Sequence, residues 1–362
     1  MNPFDRVQSL THLMAATRLT AAAAAAAETA EVVQKTAQQT ELEEMKRIIG
    51  GHIRLDPGIS GELTSRLLAD TMFQCFLTNT HGHFAESRVQ AWTESGIRFA
   101  DSAAKAVGEV KRIAHASYVT VPWSSSEETR AKSVMDIDIA SRCVNLLGMW
   151  GLVVHLPKEY HLSRGFEQRV EQCLRACQPP CCLLFELTGN STSLVTRGQL
   201  PQLPIERIRQ CQEVIERVAA ATNIDDRWGF CFDTAHAFVQ YQPLTTAADA
   251  RSLIEAIESP AAASAASAKP LRIMAIHLNG SKHPFGSGRD QHEPAGSPFD
   301  HIWGRDSSGL AVLVEWIMRR RIPTVLEVPG NSLPSQYCLL LQRLHSLSSP
   351  AAASASPAAA SE

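Results

Sequence analysis

A carboxylate and an imidazole follow an apolar run at Gly229–Phe238, which reads GFCFDTAHAF. Asp233 ends the run, and His236 comes three residues later. A carboxylate at the end of a buried strand is costly unless it is paired or bound to a metal ion. Carboxylate and neutral imidazole together suit zinc, or manganese where oxygen ligands dominate. This stretch therefore predicts a metal-binding position.

Seven further side chains of the same two types occupy comparable positions. Each lies at or just beyond the end of a short apolar run (IAHASY, VVHLP, LLFEL, AIHLN, VLEVP) or in the loop GSGRDQH. They are His115, His155, Glu186, His277, Asp290, His292 and Glu327. A single histidine in such a run is usually a hydrogen-bonded core residue, but nine candidates at equivalent positions favour a shared site. Nine ligands are too many for one ion, so a cluster of two or three ions is predicted.

The charge of such a cluster indicates its chemistry. Four of the nine candidates are carboxylates, namely Glu186, Asp233, Asp290 and Glu327. Three divalent ions against four carboxylates leave a net charge of about +2 before any bound hydroxide is counted. A site of this kind attracts phosphate and generates hydroxide near neutral pH.

Eight short β-prone runs must position these residues. They are RIIGGHIRL, FQCFLTN, KRIAHASYV, WGLVVHLP, CCLLFEL, WGFCFDT, RIMAIHLN and IPTVLEV. Helix-like stretches separate most of them, for example 127–150, 204–221 and 309–320. This alternation predicts an α/β fold, a (β/α)8 TIM barrel, in which the carboxyl ends of the strands meet on one face. A doubly wound open sheet is the alternative, and the lack of a Gly-rich phosphate loop after the first run weakens it.

Segments poor in bulky apolar residues bound this domain. Residues 1–45 are Ala-rich and predict a loosely helical or disordered arm, while 348–362 predict a disordered low-complexity tail. The stretch 260–270 reads as an inserted loop. We therefore expect the metal-binding barrel to occupy residues 46–347.

Composition excludes some classes of protein. The chain is 44% apolar and 20% charged, as expected of a globular protein. No window of about 18 apolar residues is free of charge, so no membrane span is expected. The first residues lack a secretion signal, which predicts an intracellular protein of the cytoplasm or nucleus. A mitochondrial presequence stays open, because the arm carries Arg6 and Arg18 but also Asp5.

The nine cysteines are scattered and odd in number, which predicts reduced core thiols. Four of them, Cys173, Cys177, Cys181 and Cys182, lie close in sequence but lack paired C-x-x-C spacing, so a separate zinc site there is the less favoured interpretation. The net charge of −3 neither favours nor excludes nucleic acid, since a DNA enzyme needs only a local basic face.

Taken together, these motifs resemble the endonuclease IV family of apurinic/apyrimidinic endonucleases, which are zinc-dependent barrels of the xylose-isomerase-like superfamily. GFCFDTAHAF resembles the family's strand-6 motif, and MAIHLNGSKHPFGSGRDQH resembles its strand-7 motif. IAHASY, VVHLP, LLFEL and TVLEVP resemble the remaining ligand segments. The resemblance covers about residues 47–345.

The resemblance implies about three Zn²⁺ ions per chain, with Mn²⁺ as an alternative at one site. It assigns the first ion to His115, His155 and Glu186. Glu186 would also bridge to the second ion, whose other ligands are Asp233, His277 and Glu327. The third ion would be held by His236, Asp290 and His292. The implied partner is double-stranded DNA with an abasic site, and the implied enzyme is a monomer. It would hydrolyse the phosphodiester 5′ to the abasic site and leave a 3′-hydroxyl and a 5′-deoxyribose phosphate. Glu186 would orient the nucleophile, with Glu327 as its catalytic partner.

The resemblance also implies DNA contacts. Tyr118 matches the tyrosine that the family presses into DNA at the lesion, and His81 stands where the family carries an inserted arginine. Asn79, Lys282 and Arg289 fall on segments expected to face DNA, and His52 matches a supporting histidine outside the metal shell.

Two loops depart from the family pattern. The family's Gly-rich segment after the strand-5 glutamate is TGNSTS here, and the turn after the Asp-x-His pair is EPAGSPFDHIWG. Pro294, Phe299 and Trp303 are expected to reshape the DNA groove.

Two other interpretations stay open. A sugar isomerase or epimerase of the same superfamily would need only Glu186, Asp233, His277 and Glu327, which leaves the other five ligands unexplained. A non-catalytic DNA-binding or structural relative is the third interpretation, and the complete ligand set argues against it because idle buried charges are costly.

Overall fold

The computed structural model of the chain describes residues 35–55, 70–99, 110–157, 165–189, 203–223, 227–259, 269–328 and 332–348. The chain divides into two compact units, Met1–Met45 and Lys46–Glu362. In the first unit the described residues are 35–45, and they are helical. Most of the predicted arm, nearly all of the predicted inserted loop and almost the whole predicted tail lie outside the described residues. The division into an arm, a barrel that folds alone and a tail stays a prediction.

Ten strands are described in the second unit. They are β1 (Ile49–Arg54), β2 (Phe73–Phe76), β3 (Ile113–His115), β4 (Gly151–His155), β5 (Cys182–Glu186), β6 (Trp228–Asp233), β7 (Ile273–His277), β8 (Gly280–Ser281), β9 (His292–Glu293) and β10 (Thr324–Leu326). Eight of them close into a barrel in the order β1-β10-β7-β6-β5-β4-β3-β2, with parallel pairing throughout. The remaining two, β8 and β9, form a short antiparallel hairpin. The predicted TIM barrel is confirmed, and the open doubly wound sheet is wrong.

Helices follow most barrel strands. They are α1 (Glu86–Ser95), α2 (Glu127–Leu146), α3 (Phe166–Ala176), α4 (Pro204–Thr222), α5 (Thr234–Val239), α6 (Ala247–Glu258), α7 (Ser308–Arg320) and α8 (Leu333–Ser348). Local signals set their ends: the Ser126 side chain caps α2, and Thr246 with Asp249 forms a capping box for α6. The helix predicted over 127–150 stops at Leu146, because Gly148 takes a positive φ and turns the chain into β4.

The barrel interior explains why the candidate ligands converge. The core cluster contains Met72, Ile113, Val153, Cys182, Leu184, Cys231, Ala275 and Val325. Alternate residues of a strand face the same side of the sheet. Candidate ligands lie two positions after six of these residues, at His115, His155, Glu186, Asp233, His277 and Glu327. The ligands therefore lie directly above the apolar core, at the carboxyl face of the barrel.

Most cysteines lie in the core, as predicted, and Cys338 is the exposed exception. All nine cysteines are free, and eight of them are buried. Within the described part of the chain, the cysteines near Cys177 form no group of three ligands with metal-binding spacing, so the separate cysteine site is not supported. None of the described helices combines the length and apolar character needed to cross a membrane.

Candidate metal centre

Glu186 lies at the middle of the candidate site, at the end of β5, and is 1% exposed. Its Oε2 lies 3.3 Å from His115 Nε2 and 3.3 Å from His155 Nε2. Its Oε1 lies 2.9 Å from His277 Nδ1 and 3.3 Å from His236 Nδ1. One carboxylate thus faces histidines from three other barrel strands and from the helix after β6.

The surroundings keep this carboxylate charged. Burial alone would raise the pKa of Glu186, but the charge of His277 and hydrogen bonds from His115, His155 and His236 outweigh it and hold the pKa well below its usual range. An ionised carboxylate with two oxygens facing different histidines has the chemistry required of a bridging metal ligand.

Asp233 joins the end of β6 to the start of α5. Its Oδ1 accepts a hydrogen bond from the backbone N–H of His236 at 2.8 Å and thereby caps the helix. Its Oδ2 faces the centre, 3.7 Å from His277 Nδ1 and 3.7 Å from His292 Nε2. The side chain is buried, so its charge is directed into the site.

The hairpin of β8 and β9 returns the chain to the barrel mouth after β7. Asp290, just before β9, places Oδ2 3.1 Å from His236 Nε2 and Oδ1 3.2 Å from His292 Nε2. Burial would raise the pKa of Asp290, but its close pairing with His236 and His292 holds that pKa far below the ordinary value. The loop contributes two candidate ligands that the strand ends alone do not supply.

Glu327 follows β10 and closes the other side of the site. Its Oε2 lies 3.3 Å from His292 Nδ1 and 3.6 Å from His277 Nδ1. Burial would raise its pKa, but the charges of His277 and His292 keep it well below the usual range. The structure therefore brings all nine predicted ligands into one contiguous centre.

Three groups within this centre have metal-binding spacing, with ligand atoms that lie within 4.8 Å of one another. They are His115 with His155 and Glu186, Glu186 with Asp233 and His277, and Asp233 with His236 and His292. The first group equals the set predicted for the first ion. In the third group Asp233 takes the place predicted for Asp290, which lies against both histidines of that group.

Hydrogen bonds on the outer ring nitrogens orient the histidines for metal binding. His115 Nδ1 donates to the Ala116 carbonyl at 2.7 Å, and His236 Nδ1 donates to the Leu187 carbonyl at 2.8 Å. His277 Nε2 donates to Gln74 Oε1 at 2.8 Å. With those outer nitrogens occupied, the opposite ring nitrogen of each histidine is directed at carboxylates, which is the arrangement of metal-ligating histidines.

A buried ring nitrogen of His292 also indicates a metal site. His292 Nε2 is buried and lies 3.2 Å from Asp290 Oδ1, but within the described part of the chain it makes no contact with the geometry of a hydrogen bond. A buried imidazole nitrogen without a partner is costly in a protein interior. Nitrogen and oxygen donors in this number fit a cluster of divalent ions such as zinc.

Tyr118 and His81 stand at the mouth of the centre. Tyr118 is 50% exposed and lies over His155, with ring centroids 5.9 Å apart and planes 21° apart. His81 meets its edge at 5.7 Å. Both residues line a cavity of about 400 Å³ together with the candidate metal ligands. A group that entered this cavity would contact the tyrosine and the metal centre together.

The other predicted residues occupy varied positions. His52 lies outside the ligand groups, with Nδ1 3.1 Å from Gln74 Nε2. Asn79 accepts from the His81 backbone N–H at 3.2 Å and so shapes that turn. Lys282 and Arg289 are exposed on the hairpin that carries Asp290.

The two loops that differ from the family pattern, TGNSTS and EPAGSPFDHIWG, are described to different extents. Trp303 was expected to reshape the groove, but it is 1% exposed and its Nε1 donates to the Leu244 carbonyl at 2.9 Å, so it is a core residue. Phe299 is 80% exposed. In TGNSTS only Thr188 and Gly189 are described. A side chain at Gly189 would place its Cβ 2.7 Å from His236, which explains the glycine.

Two residues of the centre were not predicted, and both are fully buried amides. Gln74 Nε2 donates to Glu327 Oε1 at 2.8 Å. Asn279 Nδ2 donates to Asp233 Oδ2 at 2.8 Å and to Glu327 Oε2 at 3.0 Å. The signal in the sequence was present: an amide inside the apolar run FQCF, and another two residues after His277 in AIHLN.

Comparisons with known proteins identify relatives of this chain. The "Probable endonuclease 4" of Methanoculleus marisnigri is 28% identical over 289 residues, which cover 78% of this chain and 92% of that protein. The "Probable endonuclease 4" of Symbiobacterium thermophilum is 27% identical over 292 residues, with the same two coverages. The crystal structure of endonuclease IV from Thermus thermophilus superposes with a TM-score of 0.55 at 20% identity, over 82% of this chain and 99% of that one, which supports the fold.

The profile of the AP endonuclease family 2, described as a xylose isomerase-like TIM barrel, matches residues 69–304, more than half of the chain. This segment contains every candidate ligand except Glu327. The chain belongs to the AP endonuclease family 2 of xylose isomerase-like TIM barrels.

Proposed function

We propose that this protein is a zinc-dependent endonuclease that hydrolyses the phosphodiester 5′ to an abasic site in duplex DNA, leaving a 3′-hydroxyl and a 5′-deoxyribose phosphate. The observation that carries the proposal is the single buried Glu186 carboxylate, which has four histidines within 3.3 Å. The relatives named probable endonuclease 4 support a nuclease rather than an isomerase. We infer that it acts as a monomer in DNA repair inside the cell, in the cytoplasm or nucleus.

Divalent zinc, when bound, would act as a Lewis acid toward a phosphoryl oxygen and toward water. Manganese would suit the group that contains Glu186 and Asp233, because two of its ligands are carboxylates. The protein's own part is to hold charge and position. Glu186 stays ionised in its buried position and would orient the attacking water. Glu327 lines the same cavity and would assist it. Phosphoryl transfer depends mainly on such positioning and on charge stabilisation.

Selectivity for an abasic site would come from Tyr118. Opening a duplex costs a few kcal/mol and costs least where a base is already missing. An exposed aromatic ring beside the cavity can stack on the neighbouring base once the duplex is open. Half of the Tyr118 side chain is available for such a contact, while its other side is supported by His155 and Phe76.

Permanent positive charge for the DNA backbone lies beside this mouth. A second cavity, of about 730 Å³, is lined by Arg54 at the end of β1, by Asn79 in the loop after β2 and by Arg88 of helix α1. Phosphate contacts of this kind supply most of the sequence-independent affinity for DNA. The two guanidinium groups would take over the role of the family arginine that is His81 here, with Lys282 and Arg289 as further contacts.

Cleavage of two matched duplexes tests the proposal. A labelled duplex with one abasic site should be cut once, on its 5′ side, and the same duplex with an intact base should not be cut. The product should carry a 3′-hydroxyl that a DNA polymerase extends directly. Binding without cleavage by the zinc-loaded protein would favour the non-catalytic interpretation, and interconversion of a sugar without cleavage would favour the isomerase.

A further inference from the structure

We propose that Asp136 is a positioning residue for lesion recognition: from helix α2 it holds the loop of Asn79 and His81 and the loop of Tyr118 in one fixed arrangement. The inference rests on the proposed function, since it assigns both loops to DNA. Asp136 is 1% exposed and belongs to no metal-ligand group in the described part of the chain. Its role therefore depends on the groups that donate hydrogen bonds to its carboxylate.

One half of that role concerns the loop before α1. Asp136 Oδ1 accepts a hydrogen bond from the Phe84 backbone N–H at 2.8 Å. Its Oδ2 lies 2.7 Å from His83 Nδ1, and because a carboxylate only accepts, this nitrogen carries the proton. Both bonds fix the chain two to three residues after His81. They anchor the end of the turn that Asn79 begins.

The other half concerns the loop after β3. The same Oδ2 accepts a hydrogen bond from the buried hydroxyl of Thr120 at 3.0 Å, two residues after Tyr118. One helical turn earlier, Ser133 Oγ accepts from the Val121 backbone N–H at 2.8 Å. Helix α2 thus holds this loop at two adjacent points, and one of them shares its acceptor atom with the first loop.

The two loops also contact each other above Asp136. The Tyr118 N–H donates to the Thr80 carbonyl at 2.8 Å, and Ser117 Oγ donates to the same carbonyl at 2.9 Å. The rings of His81 and Tyr118 meet edge to face at 5.7 Å. Any shift of one loop would move both rings, so the arrangement depends on the common anchor below them.

A fixed arrangement matters because an exposed ring binds best when it is already in its bound position. Without the Asp136 carboxylate, the Thr120 hydroxyl, the Phe84 N–H and the His83 ring would lose their buried acceptor. All side-chain hydrogen bonds of Asp136 among the described residues go to these two loops. A variant at this position should therefore impair recognition and spare the metal centre.

The experiment measures four quantities on the full chain: the Kd for abasic duplex, the Kd for intact duplex, the zinc content, and the hydrolysis of bis(4-nitrophenyl) phosphate. The last two report on the metal centre without DNA recognition. For Asp136→Ala we expect about a tenfold weaker Kd for abasic duplex, equal to about 1.4 kcal/mol. The other three quantities should stay at parental values.

The matched control is Asp138→Ala. Asp138 lies on the same helix and also accepts a hydrogen bond, from Gln178 Nε2 at 2.8 Å, but it touches neither loop in the described structure. It should bind both duplexes as the parent does. Equal loss of abasic binding in Asp136→Ala and Asp138→Ala would overturn the inference, because helix α2 as a whole would then be responsible.

Substitutions at Thr120 decide the matter if Asp136→Ala does not fold. Thr120→Val keeps the shape and removes the donated hydrogen bond, and Thr120→Ser keeps the bond. We expect weaker abasic binding for Thr120→Val and near-parental binding for Thr120→Ser. Parental abasic-to-intact selectivity in both Asp136→Ala and Thr120→Val, or a parallel fall in zinc content, would overturn the inference. A parent that fails to distinguish the two duplexes would instead overturn the proposed function.

Discussion

Asp233 Oδ1 accepts a hydrogen bond from the His236 backbone N–H at 2.8 Å, while Asp233 Oδ2 faces the metal centre 3.7 Å from His277 Nδ1. One carboxylate therefore ends a barrel strand, begins helix α5 and contributes a candidate ligand. The three-residue spacing in Asp-Thr-Ala-His is that of a helix cap and its third helical residue. The cap fixes the position of the His236 side chain in the centre. Asp233 and His236 must therefore be three residues apart both to start the helix and to build the site.

Metal content is the first prediction. Three groups of ligands imply about three zinc ions per chain by elemental analysis of purified protein. Asp290→Ala combined with His292→Ala should lower the count by one, because both residues contact the His236 group. Removal of zinc with a chelator should also lower the melting temperature, since a bound ion stabilises the folded state. A reproducible count of one ion in the parent would favour the isomerase interpretation.

The second prediction concerns Glu186→Gln. The substitution keeps nearly the same shape but removes the charge that faces four histidines. We expect cleavage of abasic duplex to slow by at least about 10³-fold, the size of a single electrostatic catalytic contribution. The exposed Glu128→Gln, whose carboxylate pairs with Lys132 on the surface, is the matched control and should cleave like the parent. Near-normal turnover by folded Glu186→Gln would remove this residue from the mechanism.

The fold could be predicted because the apolar residues within a strand and the charged residue at its end are two separate signals in the sequence. A run such as LLFEL is apolar because its strand is covered on both faces, and it ends in a charge because its last residue reaches the barrel mouth. The same reasoning located His115, His155 and His277. Which side chains contact each other across the barrel could not be predicted. His292 lies between Asp290 and Glu327 because of the β8–β9 hairpin, and no periodicity in the sequence predicts the pairing of those two strands.

The errors have physical causes as well. The size and loop position of Trp303 predict a place in the groove, but its indole N–H donates to a carbonyl inside the protein and its ring adds to the core. Gln74 and Asn279 are not among the predicted site residues, because an amide carries no charge and binds zinc poorly. Their contribution is to orient carboxylates and a histidine, which only the three-dimensional arrangement reveals.

Asn279→Ala is the third prediction. The amide donates to Asp233 and Glu327, and its own oxygen accepts from the Glu327 backbone N–H at 3.0 Å. Loss of such an outer partner typically lowers metal affinity or activity by about 10- to 100-fold. Zinc retention against a competing chelator and cleavage rate should both fall. Asn145→Ala is the control, since that amide donates to the Gln178 and Pro179 carbonyls before β5, and equal zinc retention by the two variants would contradict the assignment.

The fourth prediction concerns the boundaries of the domain. A chain trimmed to residues 46–347 should fold, bind zinc and cleave, because the removed segments carry few bulky apolar residues. Further trimming that removes α8 should destabilise the domain severely, because it removes the buried side chains of Leu340 and Tyr337 from the core and the hydrogen bond from the Tyr337 hydroxyl to the Ile49 carbonyl of β1. Thermal unfolding and zinc analysis of both trimmed chains check this. Aggregation of the 46–347 chain would show that the Ala-rich arm belongs to the folded domain.

The last prediction isolates the ring of Tyr118. Burial, together with the charges of Glu327 and Glu186, raises the pKa of Tyr118, so the hydroxyl stays neutral at physiological pH and the ring is the group available for stacking. Tyr118→Ala should weaken binding to abasic duplex by about 1–3 kcal/mol, the range for losing one base–aromatic stack. Tyr118→Phe keeps the ring and should bind within a few-fold of the parent. Titrations on abasic and intact duplexes at two salt concentrations separate this loss from backbone contacts, whose affinity falls steeply with salt. If Tyr118→Ala binds both duplexes like the parent, the wedge assignment fails, and recognition must then depend on the loops at 188–193 and 293–303.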